Sequence, residues 1–139
     1  MASTAITLHK SHELLYRLYY GPLRRIFRAV VYRLMQLQKE RRIWLGPLKG
    51  KLWISHELVC GLGIYELDAQ SCMLSHVKAG DVFYDIGAKS GFFTMLASQL
   101  VGNSGKVIAF EPLPDNVSRV ERLLTANQVK NVRVVPEAI

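Results

Sequence analysis

The 139-residue sequence is poor in cysteine, with only Cys60 and Cys72. Neither belongs to a CxxC pair, and no paired histidines lie beside them. Zinc and iron-sulfur sites need a cluster of such ligands, so the sequence predicts no metal site. This sparse use of cysteine favours a reducing compartment.

Long uninterrupted hydrophobic runs are also missing. The most apolar window, residues 18–37, contains four arginines, each of which costs about 2.5 to 3.5 kcal/mol at the centre of a bilayer. Near the N-terminus, Lys10, Glu13 and Arg17 interrupt every stretch that resembles the apolar core of a secretory signal. The sequence therefore predicts neither a transmembrane helix nor a secretory signal, and we expect a cytoplasmic protein.

Acidic residues are scarce in the first third of the chain. Residues 1–45 hold two acidic residues against nine lysines and arginines, whereas residues 46–139 hold nine of each sign. The whole net charge of +7 thus lies in the first segment. This asymmetry predicts a basic helical arm over residues 1–45, attached to an electrically neutral domain.

Within this arm, the segment from Leu23 to Leu37 has the pattern of an amphipathic helix. Apolar residues recur at helical spacing, namely Leu23, Ile26, Phe27, Val30, Leu34 and Leu37. The basic residues Arg24, Arg25 and Arg28 fall on the other side. We expect an exposed basic face. Two functions stay open, packing on the domain or peripheral attachment to an anionic membrane, and nucleic acid is the less favoured partner.

The rest of the chain changes character at residue 81. Residues 46–80 read as a linker, with turns and short strands around Trp53 and a lead-in helix from Glu66 to Lys78. This helix is expected to turn Leu67, Met73, Leu74 and Val77 inward and to end at a Gly80 cap. Residues 81–139 then alternate strand, helix, strand, helix and strand, the strands being Val82–Ile86, Lys106–Glu111 and Val132–Val135. This order predicts an α/β domain with parallel strands joined by right-handed crossovers. Pro136 places the third strand at the outer edge.

The chemically informative residues follow the first two strands. Asp85-x-Gly87-x-x-x-Gly91 ends the first strand, and Glu111 ends the second, 20 residues after Gly91. Glycines at this edge of a parallel sheet let the backbone approach a ligand, and an acidic residue here accepts hydrogen bonds from ribose hydroxyls. The plain alternative is that the glycines form a tight turn. With Glu111 the pattern favours a nucleoside cofactor, although neither the dinucleotide triple glycine nor the P-loop ending is satisfied.

Residues 80–94 and 105–116 together resemble the FkbM family of S-adenosylmethionine-dependent methyltransferases, and the likeness extends to residues 63–66 and 127–139. The resemblance implies a Rossmann-like class I methyltransferase fold and S-adenosylmethionine (SAM) as the cofactor. It also implies O-methylation of a hydroxyl on a sugar or secondary metabolite as the reaction. Carried over position by position, the resemblance implies that the cofactor-binding residues are Asp85, Gly87, Ala88, Lys89, Gly91 and Glu111.

The resemblance gives these residues separate roles. Asp85 would lie near the methionine amino group, the two glycines under the methionine and ribose, and Glu111 on the ribose diol. Lys89 departs from the asparagine usual in the family, and three roles stay open: pairing with the methionine carboxylate, repelling the sulfonium, or facing solvent. No catalytic residue can be named from this sequence.

The resemblance also implies that residues 81–139 form only part of the domain. Family members have about seven strands, and the sequence supplies three. We therefore expect the chain alone to be inactive toward a small hydroxylated acceptor, and to self-associate through an unpaired strand edge. The rival interpretation is a non-enzymatic remnant or binding module whose arm attaches to an anionic membrane or nucleic acid. A dinucleotide oxidoreductase is disfavoured by the glycine spacing.

Overall fold

The structure, a computed structural model, describes residue 14, residues 17–37 and residues 41–139. The chain divides into two compact units, Met1–Tyr65 and Glu66–Ile139. Much of the predicted arm, including the charged residues Lys10, Glu13, Lys39 and Glu40, lies outside the described residues. The predicted boundaries at residues 45 and 80 stay predictions.

The first unit contains helices α1 (Arg24–Leu37) and α2 (Leu58–Leu62), with a hairpin-like segment between them. An antiparallel bridge joins Arg42 to Leu52, and the Trp53 amide donates to the Arg41 carbonyl at 2.8 Å. Trp53 is buried at the centre of this segment, which the sequence predicts as turns and short strands around that residue. The short helix α2 is not predicted by the sequence.

Helix α1 has the amphipathic character that the sequence predicts, but its packed face is displaced. Val31 and Met35 are buried, while Leu23, Ile26, Val30 and Leu34 of the predicted apolar face are exposed. At 3.6 residues per turn, Val31 and Met35 lie about a quarter turn from that stripe. The first unit therefore uses one side of a broad apolar surface and leaves the other side uncovered.

The second unit begins with helix α3 (Leu67–His76), which contacts the helix that follows the first strand. The predicted lead-in helix is therefore present, but two details of the prediction are wrong. Met73 and Gln70 are buried, whereas Leu74 is half exposed. The helix ends at His76, so Gly80 does not cap it and instead forms part of a turn at φ +92°.

The remaining elements alternate in the predicted order, and the sheet they form is parallel. They are β1 (Val82–Ile86), α4 (Phe92–Val101), β2 (Lys106–Phe110), α5 (Pro114–Ala126) and β3 (Val132–Val135). The strand order is β1-β2-β3, with β1 parallel to β2 and β2 parallel to β3. The third strand is outermost, as Pro136 predicts. This is a partial Rossmann-like α/β fold, and the predicted fold class is confirmed.

One face of this sheet is covered by helices. Helix α4 contacts β1 and β2, and helix α5 contacts β3. The buried side chains of β2, Val107 and Ala109, alternate along the strand as expected when one face is covered. Apolar residues of the two helices complete the core, among them Leu96, Ala97, Val120 and Leu123.

The opposite face of the sheet is apolar and open along β1. Val82, Tyr84 and Ile86 point to that side and are 55%, 58% and 64% exposed. Asp85, on the covered face, is buried. Among the described residues, β1 pairs with β2 alone. In the same part of the chain, no helix is long and apolar enough to cross a membrane.

Candidate functional site

The turn after β1 is tied to the end of β2 by its backbone. The Gly87 and Ala88 amides both donate to the Phe110 carbonyl, at 2.9 and 3.0 Å. The Gly91 amide donates back to the Ala88 carbonyl at 2.7 Å. The two strand ends that the sequence predicts as neighbours are therefore held together before any side chain contributes.

Glu111 is fixed at this junction by backbone amides. Its Oε2 accepts the Lys89 amide at 2.8 Å, and its Oε1 accepts the Leu113 amide at 3.0 Å. Burial raises the pKa of Glu111, but the hydrogen bonds from Leu113, Lys89 and the Asn116 side chain outweigh it, and the net pKa is lowered. The carboxylate is thus ionised and oriented, and the three donors use three of its four lone-pair positions, which leaves one for a hydroxyl donor.

Asp85 lies on the covered face of β1 and is engaged by helix α4. The Thr94 hydroxyl donates to its Oδ2. Burial raises the pKa of Asp85, the Thr94 hydrogen bonds oppose this, and the nearby charge of Glu111 raises it further. Part of the Asp85 carboxylate therefore anchors α4, and its implied place near the methionine amino group stays a prediction.

The two glycines of the turn have different surroundings. Both have left-handed backbone, with φ +81° at Gly87 and +84° at Gly91. A Cβ added at Gly87 would meet nothing within 4 Å, whereas one at Gly91 would lie 3.1 Å from Leu123 and 3.4 Å from Val120. Gly87 thus has open space beside it, whereas the missing Cβ of Gly91 makes room for helix α5. The placement of both glycines under the cofactor stays a prediction.

The residues between the glycines contribute mainly backbone. Ala88 is buried, and Lys89 is exposed with φ +52°, a left-handed conformation that is uncommon for lysine. The Lys89 amide supports Glu111. The three roles considered for the Lys89 side chain all stay predictions, and so does the assignment of these residues to a cofactor.

Two supporting side chains are absent from the predicted set. Thr94 is fully buried and anchors Asp85, and the Asn116 side chain hydrogen-bonds Glu111. Thr94 has a sequence signal, since it is a polar residue in the first turn of an otherwise apolar helix. Asn116 follows Glu111 by five residues across the Pro112–Pro114 turn, and its role depends on how that turn folds.

The geometry fits a ligand that carries positive charge and a diol. Two carboxylates lie close enough for one to raise the pKa of the other, so a cation beside them would relieve their repulsion. Glu111 supplies an oriented, ionised oxygen that can accept a hydroxyl of the diol, and Gly87 leaves open space at the turn. SAM has a sulfonium, an ammonium and a ribose diol, and the donor set matches these groups without a phosphate loop.

The difference between the two glycines gives a paired prediction. Gly87→Ala and Gly91→Ala each place a Cβ in left-handed backbone, which costs about 1 to 2 kcal/mol. Gly91→Ala adds a close contact with Leu123, so we expect it to lower the free energy of unfolding by about a further 1 kcal/mol. Chemical denaturation of both variants measures this difference, and equal stabilities would contradict it.

Comparison with known proteins links this part of the chain to methyltransferases. The family model for protein-L-isoaspartate(D-aspartate) O-methyltransferase matches residues 63–137, just over half of the chain. A protein-L-isoaspartate O-methyltransferase 2 from Archaeoglobus fulgidus is 33% identical over 64 residues, which cover 46% of this chain and 29% of that protein. A ubiquinone/menaquinone biosynthesis C-methyltransferase from Legionella pneumophila is 42% identical over 77 residues, covering 53% of this chain and 30% of that protein.

A solved structure agrees with these matches. A SAM-dependent O-methyltransferase from Thermotoga maritima superposes with a TM-score of 0.50 and 31% identity, over 54% of this chain and 29% of that one. The chain thus spans about three-tenths of the length of the relatives it matches. The region that the family model matches, residues 63–137, contains strands β1 to β3 and the site described above.

Proposed function

The chain belongs to the protein-L-isoaspartate(D-aspartate) O-methyltransferase family, and from that membership we propose that it is the cofactor-binding part of a methyltransferase. The predicted cofactor, SAM, is confirmed by this family and by the SAM-dependent relative of known structure. One observation carries the proposal: Glu111 is oriented by two backbone amides directly beside the open turn at Gly87. The FkbM family, as the more specific relationship, stays a prediction.

The residues of this chain would bind and orient the cofactor. SAM supplies a methyl group on a positively charged sulfur. Glu111 would accept a hydrogen bond from the ribose diol through the lone pair that the two backbone amides and Asn116 leave available. Asp85 contributes negative charge from the covered face while holding α4 through Thr94. This is catalysis by positioning, in which orientation supplies most of the rate enhancement.

For the acceptor we propose an oxygen nucleophile. Two of the matched proteins are named O-methyltransferases, one of them acting on protein L-isoaspartate, whereas the Legionella pneumophila relative is named a C-methyltransferase. The hydroxyl of a sugar or secondary metabolite, which the FkbM resemblance implies, is the specific candidate. We assign no general base among the described residues. The proposed acceptor therefore concerns the whole protein, of which these residues form the cofactor-binding part.

Calorimetric titration of the 139-residue chain tests the function. We expect SAM and its demethylated product to bind more tightly than NAD, because Glu111 and Gly87 provide a diol site without a pyrophosphate cradle. Tighter NAD binding would contradict the proposal. A chain that binds no SAM but binds a polyanion with an affinity that falls steeply with salt would instead support the rival non-enzymatic binding module.

The raised pKa of Asp85 predicts a pH dependence of cofactor binding. A cationic ligand favours the ionised carboxylate, so its affinity should rise as pH increases through the Asp85 pKa, above the ordinary value of 3.8, and then level off. Binding within that range should release protons, which titrations in buffers of different ionisation enthalpy detect.

Asp85→Asn should flatten this pH dependence, because asparagine still accepts the Thr94 hydroxyl but does not titrate. Asp115→Asn, at an exposed carboxylate in the first turn of α5, is the matched control and should leave the profile unchanged. An unchanged slope in Asp85→Asn would show that a different group titrates.

A further inference from the structure

Helix α1 presents a stripe of large aliphatic side chains that the fold leaves exposed. Leu23, just before the helix, and Ile26, Val30 and Leu34 within it are 59%, 68%, 52% and 47% exposed. Their spacing of three and four residues places them on one side of the helix. Val31 and Met35, the residues that the first unit buries, lie on a neighbouring side. The stripe is therefore not needed to fold the unit.

The same helix is strongly and uniformly basic. Its 14 residues include four arginines and no acidic residue. At 100° per residue, Arg33 lies about 20° from Ile26 at the border of the stripe. The apolar stem of an arginine at such a border can lie along aliphatic neighbours while the guanidinium reaches outward to anions. Arg33 thus adjoins the exposed aliphatic surface, whereas the other three arginines lie on the remaining sides of the same short helix, within reach of an anionic surface through their long side chains.

We propose that α1 binds the surface of an anionic phospholipid membrane, with the Leu23–Leu34 stripe buried at the boundary between headgroups and acyl chains. A 14-residue helix is about 21 Å long, shorter than the roughly 30 Å hydrocarbon core of a bilayer. The helix therefore lies in the plane of the interface. Apolar burial and attraction to acidic lipids act together, as in other interfacial amphipathic helices.

The charge and the apolar stripe of α1 together favour an anionic membrane over two other partners, a second copy of the chain and a nucleic acid. A second copy of the chain would bring four arginines of each α1 against four of the other, with no carboxylate on either helix to compensate them. A nucleic acid would neutralise the arginines but would leave Ile26, Val30 and Leu34 in water. Only an anionic membrane satisfies both parts of the surface.

Flotation of the full 139-residue chain with lipid vesicles tests the proposal, because flotation separates bound protein from any self-associated protein. We expect the chain to float with vesicles of phosphatidylcholine and 30% phosphatidylserine, and not with phosphatidylcholine alone. Binding should fall as salt is raised. This result does not depend on cofactor binding, so it can fail while the methyltransferase proposal stands, and the reverse.

Two variants test the two parts of the surface. Arg24→Gln/Arg25→Gln/Arg33→Gln should weaken binding about a hundredfold, at roughly fivefold for each charge. Arg28 is left intact because it stacks over the Tyr19 ring at 4.8 Å. Ile26→Ser should weaken binding by about tenfold through the lost apolar insertion.

Matched controls make the test specific to α1. Lys78→Gln/Lys106→Gln/Lys130→Gln removes the same charge from exposed positions of the second unit, and Leu74→Ser removes a half-exposed aliphatic residue there. Both controls should bind like the unaltered chain. Equal flotation with neutral and anionic vesicles, no flotation with either, or losses as large in the controls would overturn the proposal, as would a dimer in sedimentation velocity that Ile26→Ser dissociates.

Discussion

Replacing Glu111 should weaken SAM binding more than any other single change at the site. We expect Glu111→Ala to lose about 1.5 to 3 kcal/mol, the usual scale for hydrogen bonds to a charged group, which is about a 10- to 150-fold rise in Kd. Calorimetry with SAM on the 139-residue chain measures this loss. Because the Lys89 and Leu113 amides both donate to the Glu111 carboxylate, its removal also releases the turn that carries Gly87.

Glu111→Gln separates the two effects. Its side-chain oxygen can still accept one backbone amide, but its NH2 group cannot accept the other amide or a ribose hydroxyl. We expect an intermediate loss of affinity, and a smaller loss in the free energy of unfolding than in Glu111→Ala, because one backbone amide keeps its acceptor. Glu121→Gln, at an exposed position of α5, is the matched control. Unaltered SAM affinity in both Glu111 variants would show that the ribose binds elsewhere.

The sequence predicts the second unit well because its signals are local. Strands β1 and β3 have the predicted bounds, since short apolar runs bounded by glycine and proline specify strands. Their parallel order follows from their alternation with helices. The closeness of Gly87 and Glu111 to each other follows from the same topology. Carboxyl ends of adjacent parallel strands must lie at one edge of the sheet.

The features that sequence reasoning misassigns depend on tertiary packing. Gly91 has the same backbone conformation as Gly87, and only the approach of α5 shows that its missing Cβ serves packing. Asp85 lies at the end of the first strand as predicted from the motif, but its contact with Thr94 depends on how α4 packs on the sheet and has no signal in the spacing. In α1, periodicity finds the apolar surface, but a pattern spanning two adjoining faces does not specify which one is buried.

The open face and edge of β1 predict the behaviour of the chain in solution. Val82, Tyr84 and Ile86 form an exposed apolar row on a strand whose outer edge has no partner among residues 14, 17–37 and 41–139. Tyr84 stacks on Phe110 of β2 with ring centroids 6.4 Å apart, which extends the apolar surface across the sheet. Edges of this kind template pairing with other chains.

We therefore expect the 139-residue chain to self-associate at micromolar concentration and to transfer no methyl group to hydroxylated acceptors. Tyr84→Lys should shift it toward monomer, because a charge in the apolar row opposes stacking of two such faces. Leu74→Lys adds the same charge at an exposed aliphatic position of α3 and should leave association unchanged. Sedimentation velocity measures the association, and a labelled-methyl assay measures turnover. A monomeric chain that unfolds in one sharp transition and turns over an acceptor would contradict this prediction, since it would require residues 1–139 to cover the sheet and supply the acceptor site by themselves.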